Sequence, residues 1–266
     1  MSINSSNMDK NNTFLKEERQ GRIRVMVEDQ GRVFVQELSG YFNVSEATIR
    51  RDLEKLDGQG WVQRTHGGAM RVKRATREPP MLQRIDEQRE EKQRIGQAAA
   101  ALVKDGETIF LGSGTTVLEI ARHFPEGLSL TVITNSLLVV NELAERSGIE
   151  MIVIGGMLRQ SELSMVGHIA EQAVREFRAD RVFMGMRAID ARHGFTNDYL
   201  PETMTDRAIL NIAPKVIVVA DHNKFGKVSS VLVGPVTIAH MVITDKATPQ
   251  ECVNELQEMG VEVLLI

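Results

Sequence analysis

The chain has 266 residues, 42% of them apolar, and a formal net charge of −4; this suits one large domain or two unequal ones with real cores. No apolar run approaches the roughly 20 residues of a membrane-spanning helix, which excludes a helical membrane protein. A single cysteine, Cys252, excludes an internal disulfide, and the polar start MSINSSNMDKNNTF lacks a secretory signal, so a cytoplasmic protein is expected.

The charge is unevenly placed. Residues 16–77 carry 13 Lys and Arg against 9 Asp and Glu, a net of +4; residues 1–15 balance, which leaves −8 for residues 78–266. A basic small segment on an acidic large one suits DNA binding by the first part alone.

In chain order, residues 1–15 read as a disordered leader. Residues 15–29 have helical spacing through Leu15, Arg19, Ile23, Met26 and Val27, ending at Gly31. Residues 35–41 predict a second short helix, buried on Val35, Leu38 and Tyr41 or Phe42. Asn43 and Val44 turn the chain. Ser45 then caps a third helix over 46–57, with Ile49, Leu53 and Leu56 inward. Residues 61–65 alternate like a strand, and His66-Gly67-Gly68 predicts a hairpin turn into 69–72. Three helices and a hairpin make a winged helix-turn-helix over 16–72.

Pro79 and Pro80 cannot lie inside a helix, which places an interdomain linker at 73–88. A helix at about 90–103 follows. Apolar runs at 108–111, 130–134, 151–154, 181–184, 216–220, 241–244 and 261–266 then alternate with helical stretches at 116–124, 137–146, 169–178, 204–212 and 249–259. This alternation predicts an α/β domain over 89–266, with a parallel sheet covered on both faces.

The segment 35–54 has the layout of a DNA reader: a support helix, a turn, and a second helix that presents polar side chains to a groove. Its outward positions are Glu46, Thr48, Arg50 and Arg51. Ser45 and Thr48 suit phosphates or bases, and Arg50 or Arg51 suits a guanine edge. The strand-turn arm adds Arg64, Thr65, His66 and Arg71 for backbone or minor-groove contacts. The string SEATIRRDLEKLDGQGWVQRTHGGA resembles the signature of the DeoR/GlpR family of bacterial sugar-metabolism repressors. It matches at Ser45, Thr48, Ile49, Arg50, Arg51, Asp52, Leu53, Leu56, Gly60, Arg64, Thr65, His66, Gly67 and Gly68. The resemblance implies double-stranded operator DNA as a partner.

A second motif is TIFLGSGTTVLE at 108–119: a strand, then Gly112-Ser113-Gly114-Thr115-Thr116, then a helix. Glycines let backbone approach a ligand, and free amides with three hydroxyls make an anion cradle. An ordinary glycine-rich turn fits the same residues. The Walker and dinucleotide patterns do not. Asn135-Ser136, Gly155-Gly156 and the loop 221–226 also follow strands, so they share the carboxyl edge where ligands bind.

The same loops resemble the family's sensor domain, whose fold is similar to ribose-5-phosphate isomerase. That resemblance implies a sugar-phosphate effector held by Ser113, Gly114, Thr115 and Thr116, with Lys224 as countercharge and Asn135 on sugar hydroxyls. Gly112, Ser136, Gly155, Gly156 and Glu202 complete the expected pocket.

One departure stands out. Where the family reads Gly-Ala-Asp-Gly-Ile-Asp, this chain reads Gly185-Met186-Arg187-Ala188-Ile189-Asp190. The carboxylate that related isomerases use is an arginine, which argues against an enzyme. Arg187 either binds a second anionic group, as in a sugar acid, or is a surface residue. The six histidines lack metal-ligand spacing, so neither metal nor cofactor is expected. The combined reading is a homo-oligomeric repressor, dimer or tetramer, released from its operator by a phosphorylated sugar or sugar acid. The alternatives are an isomerase-like enzyme fused to a DNA-binding module, and an activator.

Overall fold

The computed structural model describes residues 14–72, 74–75 and 78–266, in two compact units that divide between residues 73 and 74. Most of the expected leader (1–13), and residues 73, 76 and 77 of the expected linker, lie outside the described residues.

The first unit consists of α1 (Lys16–Gln30), β1 (Arg32–Phe34), α2 (Val35–Phe42), α3 (Glu46–Gly58), β2 (Val62–Thr65) and β3 (Gly68–Arg71). Helical spacing explains its core. Ile23 and Val27 of α1 meet Leu38 and Phe42 of α2 and Ile49, Leu53 and Leu56 of α3, with Val33, Val62 and Ala69 from the strands. Two expectations change here: Tyr41 and Leu15 are largely exposed, and Phe42 is the buried ring of α2. The strand β1 was not foreseen. It pairs antiparallel with β3, which gives a three-stranded sheet of order β1-β3-β2. Asn43 takes the left-handed conformation at the end of α2, a geometry Asn tolerates. The Ser45 hydroxyl accepts from the Thr48 amide and starts α3.

The second unit runs α4 (Met81–Arg84), α5 (Arg89–Ala100), β4 (Thr108–Leu111), α6 (Thr115–Arg122), β5 (Leu130–Thr134), α7 (Leu137–Leu143), β6 (Ile149–Val153), β7 (Met157–Arg159), β8 (Ser164–Val166), α8 (His168–Arg175), β9 (Arg181–Gly185), β10 (Ala188–Asp190), β11 (Gly194–Asn197), α9 (Leu200–Ile209), β12 (Val216–Val219), β13 (Val231–Gly234), β14 (Met241–Thr244), α10 (Gln250–Glu258) and β15 (Glu262–Leu265). Its main sheet is seven-stranded, order β15-β14-β12-β9-β4-β5-β6, and parallel throughout. Alternate residues of each apolar strand feed two different cores. Phe110, Ile133, Val182 and Val218 face one; Ile109, Val132, Phe183 and Ile217 face the other, with Ile95, Val117 and Ile120 of α5 and α6. Burial on both faces is what unbroken apolar strands signify.

The order in which strands are added reverses between β4 and β9: β5 and β6 extend one side, β12, β14 and β15 the other. Loops that leave neighbouring strands in opposite directions open a crevice at such a point. Two small additions went unforeseen, the hairpin β7–β8 and the antiparallel sheet β10-β11-β13.

Candidate functional site

On the first unit, α3 exposes Glu46, Arg50 and Arg51, while Ser45 and His66 are exposed beside it and in the hairpin turn. Arg50 lies 3.3 Å from Glu46, one helical turn away. Arg51 makes no ion pair among the described residues and is the freer of the two to reach a base edge. Arg64 is half-buried and lies 4.0 Å from Glu54, while Arg71 is exposed at the end of β3. Thr65 corrects an expectation: its hydroxyl is buried, without a partner among the described residues, and so is not presented to a duplex.

Beneath this surface is a residue that sequence reasoning left without a role. Asp52 is 1% exposed and accepts from Arg19 Nε at 2.5 Å and Gln20 Nε2 at 2.7 Å. It fixes the inner side of α3 to α1.

On the second unit, the crevice at the strand reversal holds a cavity. It is lined by Ser113, Gly114, Thr115 and Thr116 after β4, by Met184, Gly185, Met186 and Arg187 at the end of β9, and by Val219, Ala220 and Lys224 after β12. Gly114 has φ +126°, a conformation that L side chains rarely adopt, and it turns the chain into α6 with the amides of Thr115 and Thr116 at the helix start.

Of the twelve residues expected at the pocket, seven line it: Ser113, Gly114, Thr115, Thr116, Arg187, Glu202 and Lys224. Gly112 instead packs against β9, its amide donating to Phe183 O. Asn135 and Ser136 are buried beneath the hairpin. Met165 N donates to Asn135 O, Asn135 Nδ2 to Met165 O, and Leu137 N to Leu163 O. Asn135 thus packs under the hairpin and outside the cavity lining, and its buried Oδ1 has no partner among the described residues. Gly155 is exposed, and Gly156 passes so close to β8 that an added Cβ would lie 2.9 Å from Val166 O.

The hairpin's payoff is Arg159 and Glu162, which reach the cavity wall beside Glu78, Arg84, Asn197 and Asp206. These six residues carried no motif. Arg159 pairs with Glu202, and Arg84 Nη2 donates to Glu162 at 2.5 Å. Arg187 is buried, not a surface residue: its side chain is 8% exposed and lies 3.1 Å from Asp198. Lys224 donates to Glu78, which also forms an ion pair with Arg84 at 2.6 Å. Burial alone would raise the Glu78 pKa; Lys224, Arg84 and Arg187 outweigh it and hold the carboxyl below its ordinary range.

Asn197 Nδ2 donates to both Glu202, at 2.9 Å, and Asp206, at 3.3 Å. Burial, then the neighbouring Glu202 charge, pushes Asp206 well above the ordinary carboxyl range. Stability from a carboxyl raised in this way is fully present below its unfolded pKa, about 4, and is lost as pH rises through its folded value. Asp206→Asn should therefore gain stability over the parent as pH increases from 4 to 8. Paired melting curves across that range check this; a constant offset between the two proteins would remove the titration of Asp206 from the account.

Residues 19–75 match the DeoR-like helix-turn-helix domain, and residues 87–246 the DeoR C terminal sensor domain. The chain belongs to the DeoR family. Among its DeoR-family relatives, the transcriptional repressor AccR of Agrobacterium fabrum is 34% identical over 87% of this chain and 90% of its own. The glycerol-3-phosphate regulon repressor of Escherichia coli is 32% identical over 93% of this chain and 98% of its own. Both relatives are named as repressors, and this chain matches a helix-turn-helix and a sensor domain of the DeoR family. Ribose 5-phosphate isomerase a of Methanocaldococcus jannaschii aligns at TM-score 0.39 and 18% identity, over 52% of this chain and 55% of its own. Among the described residues, no helix is long and apolar enough to cross a membrane.

Proposed function

We propose that this DeoR-family chain is a cytoplasmic repressor whose first unit reads an operator and whose second unit binds a phosphorylated sugar or sugar acid that weakens operator binding. The observation that carries the sensor half is the convergence of the 113–116 loop, at the start of α6, with the cations Arg84, Arg187 and Lys224 in one cavity. Helix-start amides and hydroxyls suit phosphate, and guanidinium groups suit a carboxylate or a second phosphate. In the operator half, Ser45, Thr48, Arg50 and Arg51 face the major groove. Arg64, His66 and Arg71 serve the backbone. A homo-oligomer would place two such units on half-sites about one helical turn apart.

Turnover is the rival. Glu202 and Asp206 line the cavity with raised pKa values, a property of general bases. Glu202, however, is tied to Arg159 and Asn197, and position 187 supplies a cation. We therefore read the cavity as a sensor. Isomerisation assays on pentose and hexose phosphates test it, and turnover that Glu202→Gln abolishes would establish an enzyme instead.

For the operator half, Arg51→Ala should weaken binding to DNA selected by the parent protein by about 1–3 kcal/mol, roughly 5- to 150-fold, the worth of a bidentate base contact. Binding to unrelated DNA should change far less. Fluorescence anisotropy with both duplexes measures this, and equal losses on the two would make Arg51 a phosphate contact. For the sensor half, operator binding titrated with phosphorylated sugars and sugar acids should fall with at least one of them, and Lys224→Met should abolish the response.

A further inference from the structure

The cation cluster in the cavity is already occupied, and its occupant comes from the protein. Glu78 receives Lys224 Nζ, Arg84 Nη1 at 2.6 Å, and Arg187 Nη1 at 3.8 Å. It belongs to the stretch that leads into the second unit, immediately before Pro79 and Pro80. Backbone hydrogen bonds anchor the described residues of this stretch on both sides of Glu78. Ala75 N donates to Val228 O at 2.8 Å, in the loop that follows Lys224, and Met81 N donates to Ser161 O at 2.7 Å, in the β7–β8 turn. Between these two anchors, Pro79 O accepts from Arg84 Nε at 2.8 Å, and Glu78 turns its carboxylate into the cavity.

Two quantities show that this arrangement is a closed one. The free volume is about 80 Å³, against the roughly 300 Å³ or more that small-molecule sites offer. Among the described residues that line the cavity, Arg84, Arg159, Arg187 and Lys224 are matched by Glu78, Glu162, Glu202 and Asp206. Withdrawal of Glu78 would free Lys224 and Arg84 Nη1 from their shared carboxylate, while Arg187 keeps Asp198 at 3.1 Å. Withdrawal thus provides both the space and the positive charge that an anionic ligand needs.

We propose that Glu78 is an internal competitor for the effector: the ligand's own acid group displaces it from Arg84, Arg187 and Lys224 and unseats residues 78–84. The seat holds a carboxylate now, between guanidinium forks that match one, so the effector class is narrowed to a phosphorylated sugar acid. This inference rests on the reading of the cavity as the effector site.

The test uses the full chain and two probes of one skeleton, 3-phosphoglycerate, which carries the acid, and glycerol 3-phosphate, which lacks it. Calorimetry should show that Glu78→Gln binds 3-phosphoglycerate at least tenfold more tightly than the parent does, with a smaller gain for glycerol 3-phosphate. In the unaltered protein, saturating 3-phosphoglycerate should speed hydrogen exchange of the amides in 78–84. If Glu78→Gln folds poorly, the exchange measurement stands without it. Binding that Lys224→Met removes, but that Glu78→Gln leaves unchanged or weakened, overturns the competitor, as does exchange in 78–84 that slows or stays constant. If neither probe nor inorganic phosphate binds the parent or the variant, the effector reading of the cavity falls, and this inference falls with it.

Discussion

Asp52→Ala should cost the first unit about 3–5 kcal/mol, the usual penalty for removing one partner of a buried ion pair. Asp52 is 1% exposed and Arg19 8%, so alanine leaves a guanidinium desolvated, with its Nε donor unmet, and deprives Gln20 as well. Structures of this size bury a modest fraction of their surface and have little stability to spare. For a unit of fewer than 80 residues, a loss of this size lowers the melting temperature by about 12 °C or more. Melting of the full chain should show the first unit's transition shift while that of the second stays in place. Asp52→Asn keeps an acceptor and should lose less. A shift of only a degree or two for alanine would mean that the pair contributes little and that apolar packing alone holds α3 on α1. Operator binding should fall in step with the folded fraction, which separates this effect from the loss expected of Arg51→Ala.

The second large effect is an asymmetry between adjacent glycines. A Cβ on Gly68 would lie 1.9 Å from Val33 O and 2.9 Å from Phe34 Cα, whereas one on Gly67 meets nothing within 4 Å. Gly68 pairs with Phe34 of β1 and with Thr65 of β2, so the colliding atoms are backbone of the edge strand β1, held by its ladder to the central strand β3, and cannot step aside singly. Overpacking of this kind typically costs 1–3 kcal/mol and more where backbone must shift; we expect at least about 3 kcal/mol for Gly68→Ala, with β1 detached. Gly67→Ala should stay within about 0.5 kcal/mol, as exposed substitutions do. Urea unfolding of the two variants decides the matter; equal losses would assign the requirement to the turn and not to the close approach.

These two residues also show where sequence reading stops. The string Arg50-Arg51-Asp52-Leu53 shows its apolar stripe through Ile49, Leu53 and Leu56, so α3 and its outward arginines were legible. A carboxylate at 52 reads as a solvent-facing residue, and only the position of α1 reveals its burial. His66-Gly67-Gly68 read as a turn because glycine marks turns. The second glycine answers instead to β1, which at three residues is too short to show any period.

In the second unit, the seven main strands were legible as apolar runs, and the 113–116 loop, Arg187, Glu202 and Lys224, expected at one pocket, line one cavity. Asn135, Ser136, Gly155 and Gly156 were misplaced for a topological reason. Chain order assigns all strand ends to one edge but does not say that β5 and β6 lie beyond β4 on the far side from β9 and β12, under a hairpin. Arg84 and Glu78 were hidden within a stretch that its prolines marked as a linker.

The paired charges around Lys224 have a consequence for background noise. A cavity lined with bare cations would fill with whatever small anion is most abundant, and the protein would report ionic conditions. Here Arg84, Arg159 and Lys224 already face Glu162, Glu202 and Glu78, so the empty cavity has little net field to draw stray phosphate or chloride from a distance. Charge alone is then a poor key. On the proposed reading of the cavity, a molecule must combine charge with hydroxyl and phosphate contacts to open the site, so that a sensor built this way stays silent in a salt-rich cell and still answers one metabolite.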